Sequence, residues 1–356
     1  MTLKVMIMAA GTGGHVFPGL AVARCLQASG AHVHWLGTPE GLENRWVPEA
    51  GIELSAIDIA GVRGKGLMGW LRLPGRLIRA MLAAWRAFQD SRPDVVLSMG
   101  GYVAGPGGLV AKAMGIPLIL HEQNAIPGLT NRALAPLARE VLTGFPNVFK
   151  RARFVGNPVR ADIAALAQPQ WRWQDRSGPI HVLIIGGSLG ARIFAERVPK
   201  ALAQLPQGTS LKVTHQAGRV LAQAQRHYAA VTLPDGVDVD VVEFIDDMAS
   251  AWGQADVAIT RAGALTVAEL AAAGVGALLV PFALAVDDHQ TANAGFLSDA
   301  GAAWLLQEHE ATVERLTQWF IELDRQDLLQ RATRARSLAH TDAAEQVAQT
   351  CWAVAA

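Results

Sequence analysis

The sequence predicts an α/β protein of two doubly wound, Rossmann-like domains, each on a parallel sheet, with a ligand cleft expected between them. Three observations carry this. Short apolar runs alternate with amphipathic stretches along the chain. The alternation breaks at a spacer, Ala167–Pro179, which holds two Pro and two Trp, and then restarts. A glycine-rich loop follows the first apolar run of each series, at Gly11–His15 and Gly186–Ala191. A length of 356 residues suits two domains.

In the first series, strands are expected at Val5–Ala9, Val33–Leu36, Val95–Met99, Leu118–His121 and Val141–Thr143. Each run is β-rich or continuously apolar, as strands buried on both faces are. Helices are expected between them, at Val16–Ser29, Arg76–Asp90 and Leu129–Ala138. The second series gives strands at His181–Ile185, Lys212–His215, Val239–Phe244, Val257–Thr260 and Ala277–Val280. Its helices include Ala191–Leu205, Leu265–Ala273 and Ala311–Leu323. The domains are drawn at residues 1–160 and 161–340, with a C-terminal helix at about 341–356 packing back on the first.

Composition narrows the function. At 51% hydrophobic residues the chain has the apolar mass that disordered chains lack. Two cysteines, Cys25 and Cys351, are too few for a disulfide framework or a zinc site and suit a reducing compartment. No run reaches the roughly 18–20 apolar residues that span a bilayer, and the first residues lack the build of a signal peptide. A soluble or peripheral protein of the cytoplasm is expected. The net charge of zero argues against a nucleic-acid binder. It is an average, however. Residues 1–160 carry 17 Lys/Arg against 9 Asp/Glu, a net of +8, and residues 161–356 carry 14 against 22, a net of −8. The first domain is therefore expected to meet something anionic.

The glycine loops hold the chemistry. In Gly11-Thr12-Gly13-Gly14-His15, glycines let backbone N–H groups approach an anion, and the helix start adds a positive partial charge. Position 16 is Val, so G-x-G-x-x-G is not met, and the second strand ends without an acidic residue for a ribose. The Walker pattern is absent too. Gly186-Gly187-Ser188-Leu189-Gly190-Ala191 repeats the strand–loop–helix context. A third loop, Arg261–Thr266, opens a helix that carries Glu269, whose carboxylate could accept two ribose hydroxyls. Together they point to a nucleoside diphosphate and a second phosphate-bearing substrate.

These residues together resemble the family 28 glycosyltransferases of bacterial cell-wall assembly. The resemblance runs through Gly11–Ala21, Gly100-Gly101-Tyr102, His121–Asn124 with Leu129–Asn131, and Gly156–Arg160. It continues through Gly186–Ala191, Phe244–Met248, Gly263–Glu269 and Asp288–Ala294. It implies the GT-B fold and the transfer of GlcNAc from UDP-GlcNAc to lipid I, undecaprenyl-diphosphoryl-MurNAc-pentapeptide, giving lipid II with inversion. It implies that Ile245 meets uracil, Glu269 the ribose, and Ser188 with Ala264, Leu265 and Thr266 the diphosphate, with Val267 also among the UDP-GlcNAc contacts. Gln290 and Asn293 would read the sugar, with the hydroxyl each reads left open because His289 stands where some relatives carry a second Gln. Thr12, Gly13, Gly14, Asn124 and Arg160 would complete the donor contacts, and Tyr102, His121 and Asn131 would meet the acceptor. His15 is the first choice for the general base and Glu122 its rival. No metal or other cofactor is implied, and Asp238-Val239-Asp240 is read as solvated charge. Against this stand a UDP-GlcNAc 2-epimerase and a nucleotide-binding scaffold without turnover.

From Ile59 through Gln89 the chain has no Asp or Glu. Trp70, Arg72, Arg76, Leu77, Arg79, Met81 and Trp85 combine an apolar stripe with a basic rim, the pattern of an interfacial helix. The expected partners are thus UDP-GlcNAc, lipid I, an anionic cytoplasmic membrane face on which the protein is peripheral, and cell-wall or division machinery.

Overall fold

A computed structural model describes residues 2–59, 73–187 and 189–356. They form two compact units, 1–160 together with 340–356, and 161–339.

The first unit runs β1 (Lys4–Met8), α1 (Gly13–Ala28), β2 (His32–Gly37), α2 (Glu43–Glu49), β3 (Glu53–Ala56) and α3 (Leu73–Ser91). It continues β4 (Val95–Ser98), α4 (Ala104–Ala113), β5 (Leu118–Glu122), α5 (Leu129–Leu134), β6 (Glu140–Thr143) and β7 (Arg153–Phe154). The strands order as β3-β2-β1-β4-β5-β6-β7, all parallel. The period of two along β1 explains its unbroken apolar run. Val5 and Ile7 enter the core under α1, whereas Met6 and Met8 enter the core under α3 and α4.

The second unit opens with α6 (Ala161–Ala164) and α7 (Pro169–Arg172). Then come β8 (Ile180–Ile185), α8 (Arg192–Ala203), β9 (Leu211–Gln216), α9 (Leu221–Ala229), β10 (Val237–Val242), α10 (Met248–Gln254) and β11 (Val257–Thr260). It ends α11 (Ala264–Ala273), β12 (Gly276–Leu279), α12 (His289–Ser298), β13 (Ala303–Leu305), α13 (Val313–Ile321) and α14 (Arg325–Ser337). The sheet order is β10-β9-β8-β11-β12-β13. The last helix, α15 (Ala343–Ala355), belongs to the first unit, where Val347 and Cys351 sit in the core shared with α1.

Several boundaries differ from the sequence reading. Helix α1 starts at Gly13, not Val16, because the Thr12 carbonyl already accepts from the His15 and Val16 amides at 3.1 and 3.2 Å. His15 therefore lies in the helix's first turn. The helix from Leu129 stops at Leu134, since Pro136 has no N–H to continue it. The strand read as Val239–Phe244 is Val237–Val242. There the chain leaves the ladder, and the Glu243 carbonyl accepts from the Gly218 amide at 3.1 Å.

In each sheet the strand order reverses beside the first strand, between β1 and β4 and between β8 and β11. Chain ends leaving such a pair diverge and open a crevice at their carboxyl ends, where ligands of doubly wound sheets bind. All three glycine loops sit at these two points.

Candidate functional site

In the first unit, the loop after β1 meets the loop after β4. Gly100 and Gly101 both hold positive φ, at 97° and 82°. A Cβ on Gly100 would stand 2.9 Å from His15 Cδ2 and 3.1 Å from its Nε2. Glycine thus gives the imidazole its place. His15 Nδ1 lies 3.3 Å from Thr12 Oγ1. Burial lowers the His15 pKa from 6.5 to about 4, and the Glu43 charge acts in the opposite sense. Gly13 and Gly14 lie in the first turn of α1, where amides lack an intrahelical acceptor.

Glu122 ends β5 and is buried. Its Oε1 accepts from the Asn124 amide at 2.9 Å and from Asn124 Nδ2 at 3.3 Å. Its Oε2 accepts from the Gly128 amide at 3.2 Å and from Asn131 Nδ2 at 2.8 Å. Burial raises its pKa, while these four donors pull the other way. Asn124, Asn131 and Glu122 are thus one network that shapes the turn from β5 to α5.

His121 was expected to meet the acceptor, but the protein uses both of its nitrogens. Nε2 donates to the Gly156 carbonyl at 2.9 Å, and Nδ1 accepts from Gln123 Nε2 at 3.2 Å. The ring is fully buried, which holds its pKa at about 4. Tyr102, by contrast, is 56% exposed, and Arg160 closes the unit, half-buried.

In the second unit, the loop after β8 holds Gly187 and Gly190 at positive φ, 74° and 75°. A Cβ on Gly190 would stand 2.4 Å from the Ala217 carbonyl, so the loop can pack on β9 only with glycine there. Gln216, which the sequence reading missed, braces it. Its Oε1 accepts from the Gly187 amide at 3.1 Å, and its Nε2 donates to the Gly187 and Glu243 carbonyls at 3.2 and 2.9 Å. Ser188 lies outside the described residues, as do Trp70 and Arg72.

At the loop after β11, the amides of Ala264, Leu265 and Thr266 are the first-turn donors of α11. Val267 differs from the expectation. Its side chain is buried and its amide donates to the Gly263 carbonyl at 2.9 Å, so it is already committed. In the second turn of α11, Glu269 Oε2 accepts from the buried Trp252 Nε1 at 3.3 Å. Asn293 is fully buried and donates through Nδ2 to the Ala262 carbonyl at 3.1 Å. Gln290 Oε1 accepts from the Phe282 amide at 2.9 Å. Ile245 is half-buried in the turn beyond β10, next to Phe244, which is 55% exposed. Arg261 and Glu308, also missed, pair at 2.9 Å. Arg261 donates to the Val280 and Pro281 carbonyls, and Glu308 accepts from the Ala283 amide, which fixes the loop beside Gln290.

Helix α3 splits by face. Ala80, Ala84, Ala87 and Phe88 are buried under the sheet, and Leu77 and Met81, read as part of the outer stripe, are half-buried beside them. The outward apolar residues are Ile78, Leu82 and Trp85, with Arg76, Arg79 and Arg86 exposed around them. No described helix is long and apolar enough to cross a membrane. Asp238 and Asp240 stand exposed on β10.

Residues 5–143 match the glycosyltransferase family 28 N-terminal domain, and residues 181–347 match its C-terminal domain. The chain is similar to curated proteins named UDP-N-acetylglucosamine–N-acetylmuramyl-(pentapeptide) pyrophosphoryl-undecaprenol N-acetylglucosamine transferase. One, from Bordetella parapertussis, is 53% identical over 348 residues, 98% of this chain and 96% of the relative. Another, from Paraburkholderia xenovorans, is 50% identical over 352 residues, 99% of this chain and 95% of the relative. Among solved structures, MurG of Acinetobacter baumannii superimposes with a TM-score of 0.85 at 44% identity, covering 99% of both chains. A glycosyltransferase of kitacinnamycin, at 21% identity and a TM-score of 0.69, shares the fold.

Proposed function

The chain belongs to glycosyltransferase family 28, and on that premise we propose that it transfers GlcNAc from UDP-GlcNAc to the C4 hydroxyl of MurNAc in lipid I, forming lipid II. The observation that carries the reading is the identity of about half over nearly the full length with relatives named for this transfer.

The second unit takes the donor. The first-turn amides of α11 meet the diphosphate, Glu269 the ribose and the turn at Ile245 the uracil, with Gln290 and Asn293 at the sugar. The first unit takes the acceptor, with Tyr102 and Asn131 beside Gly100. The acceptor oxygen attacks the anomeric carbon from the face opposite the diphosphate. The bond from that carbon to the phosphate oxygen breaks, UDP leaves with the electron pair, and the stereocentre inverts. Helix N-termini and loop amides stabilise the charge that develops on UDP.

His15 takes the hydroxyl proton. With its proton on Nδ1, which lies 3.3 Å from Thr12 Oγ1, the ring turns the Nε2 lone pair to the space that Gly100 keeps clear. Glu122 is the weaker candidate, because both of its oxygens already accept two hydrogen bonds.

The lipid-linked acceptor brings the enzyme to the cytoplasmic face of the membrane, where Ile78, Leu82 and Trp85 insert and the arginines of α3 meet anionic headgroups.

UDP-GlcNAc incubated with a lipid I analogue tests the reading. UDP release and disaccharide that both require the acceptor are expected. UDP release without acceptor would mark epimerase-like chemistry, and no turnover a binding protein. His15→Ala is expected to lower kcat by roughly 10²–10⁴-fold, and a variant within about tenfold of the parent would remove His15 as the base.

A further inference from the structure

We infer that Glu43 is a positioning residue for the transfer: walled in by two glycines, its carboxylate grips the mouth of the first glycine loop and places a negative charge beside the helix start that carries His15. This rests on the reading of His15 as the base.

Glu43 is the first residue of α2 and has no exposed surface. A carboxylate so buried is stable only if its oxygens are satisfied. Oε1 accepts from the Thr38 amide at 2.8 Å and from Thr38 Oγ1 at 2.7 Å. Oε2 accepts from the Gly11 amide at 3.0 Å. Three donors and no acceptor face it, which is the environment of an ionised carboxylate. The surroundings are cut to its shape. A Cβ on Gly41 would stand 2.0 Å from Oε2 and 2.2 Å from Oε1, and one on Gly37 would stand 2.7 Å from Cγ. The loop after β2 and the loop after β1 are thus tied together through one side chain. Gly11 itself holds φ at 92°, so the tie fixes a backbone turn that the loop's own residues leave soft.

The second consequence is electrostatic. Among the described residues, Glu43 is the charged group that acts on His15, in the direction that makes it more basic against its burial. The other groups shown against the ring, Thr12 and Gly100, are neutral. The carboxylate therefore holds the loop in place and keeps the imidazole a better proton acceptor than burial alone allows.

Glu43→Gln keeps the volume but removes the charge, and it turns an amide N–H toward the Gly11 or Thr38 donors. Glu43→Asp keeps the charge and withdraws it by one methylene. Three quantities decide: the pH at which the His15 ring titrates by NMR in substrate-free protein, kcat, and KM for UDP-GlcNAc. The expected order for both His15 pKa and kcat is parent, then Asp, then Gln. The Gln variant should titrate lower by about one unit and lose about tenfold in kcat, short of the full general-base effect. KM for the donor should stay within about twofold, because the second unit holds UDP. If the Gln variant does not fold, the Asp variant decides, with both values below the parent. Variants that fold and match the parent in His15 titration and in kcat overturn the inference. A shifted titration with unchanged kcat keeps the coupling of Glu43 to His15 and removes His15 as the base, so the two failures read differently.

Discussion

Four donors converge on Glu122, and that convergence sets what the residue does. Hydrogen bonds to a charged group contribute about 1.5–3 kcal/mol each, and a donor left unmet in the interior costs about 1–3 kcal/mol. Glu122→Gln turns an N–H toward one pair of those donors, either at Asn124 or at Gly128 and Asn131. Relief of a buried charge offsets part of the loss. The expected net is a destabilisation of about 1–3 kcal/mol in urea unfolding, with catalysis reduced far less than in His15→Ala. A Gln variant as stable as the parent would show that the network is not what holds the turn. The position of Glu122 was legible in the sequence, because it ends a buried apolar strand, where sites of α/β sheets gather. Its partners were legible only as nearby polar residues. Glu43 was not legible at all, since what identifies it is contact with Gly11, 32 positions away in the chain. Gln216 was hidden for the same reason, 29 positions from Gly187.

At the scale of elements, the strands that the sequence reading found are the central ones and the six-residue edge strand β10, and those it missed are the short edge strands β3, β7 and β13. Most of the central strands carry apolar residues on both faces in nearly unbroken runs, as β1, β4, β11 and β12 do. Two of the missed strands, β3 and β7, edge the first sheet and β13 edges the second, and they are four, two and three residues long. Only one to three apolar side chains mark each, in runs too short to rise above a loop. Helix α3 shows the opposite limit. Its sequence is amphipathic with a stripe wider than the sheet can cover, and the period alone did not tell the covered part from the rest. The structure divides them, which yields a prediction in two parts. Replacing Ile78, Leu82 and Trp85 together by Ser should leave the melting temperature nearly unchanged, because all three are exposed. The same variant should bind anionic vesicles more weakly. Removing Arg76, Arg79 and Arg86 should cost about 1 kcal/mol of vesicle binding each and flatten the salt dependence. Vesicle binding that ignores both sets of substitutions would remove α3 as the membrane contact. Ala84→Asp, on the covered face, is the contrasting control and should unfold the unit.

For the whole molecule, the two units share a construction and also a liability to acid. Each buries one histidine with no exposed surface, His121 in the first and His215 in the second. His215 Nδ1 lies 3.1 Å from the Tyr228 hydroxyl, and its ring meets Tyr228 edge to face at 5.8 Å. Burial lowers both pKa values from 6.5 to about 4. Unfolding returns the rings to water, where they bind a proton at about pH 6.5. Between those values the unfolded chain holds more protons than the native one, so stability is complete above about pH 6.5 and is lost as the pH falls toward 4. Each ring accounts for up to about 3 kcal/mol over that window, a large share of what holds a domain together. Hydrogen exchange measured from pH 7.5 to 4.5 should therefore show both units loosening together. His15, whose pKa burial also lowers to about 4, adds an acid response in the first unit, so the informative quantity is a difference between variants. His215→Phe removes one titrating ring and should shallow the second unit's pH dependence by about one proton, or 1.4 kcal/mol per pH unit. The first unit should not change. His121→Gln, which keeps a donor for the Gly156 carbonyl, should do the converse. Equal slopes in parent and variants would mean that these rings stay neutral for a reason other than burial.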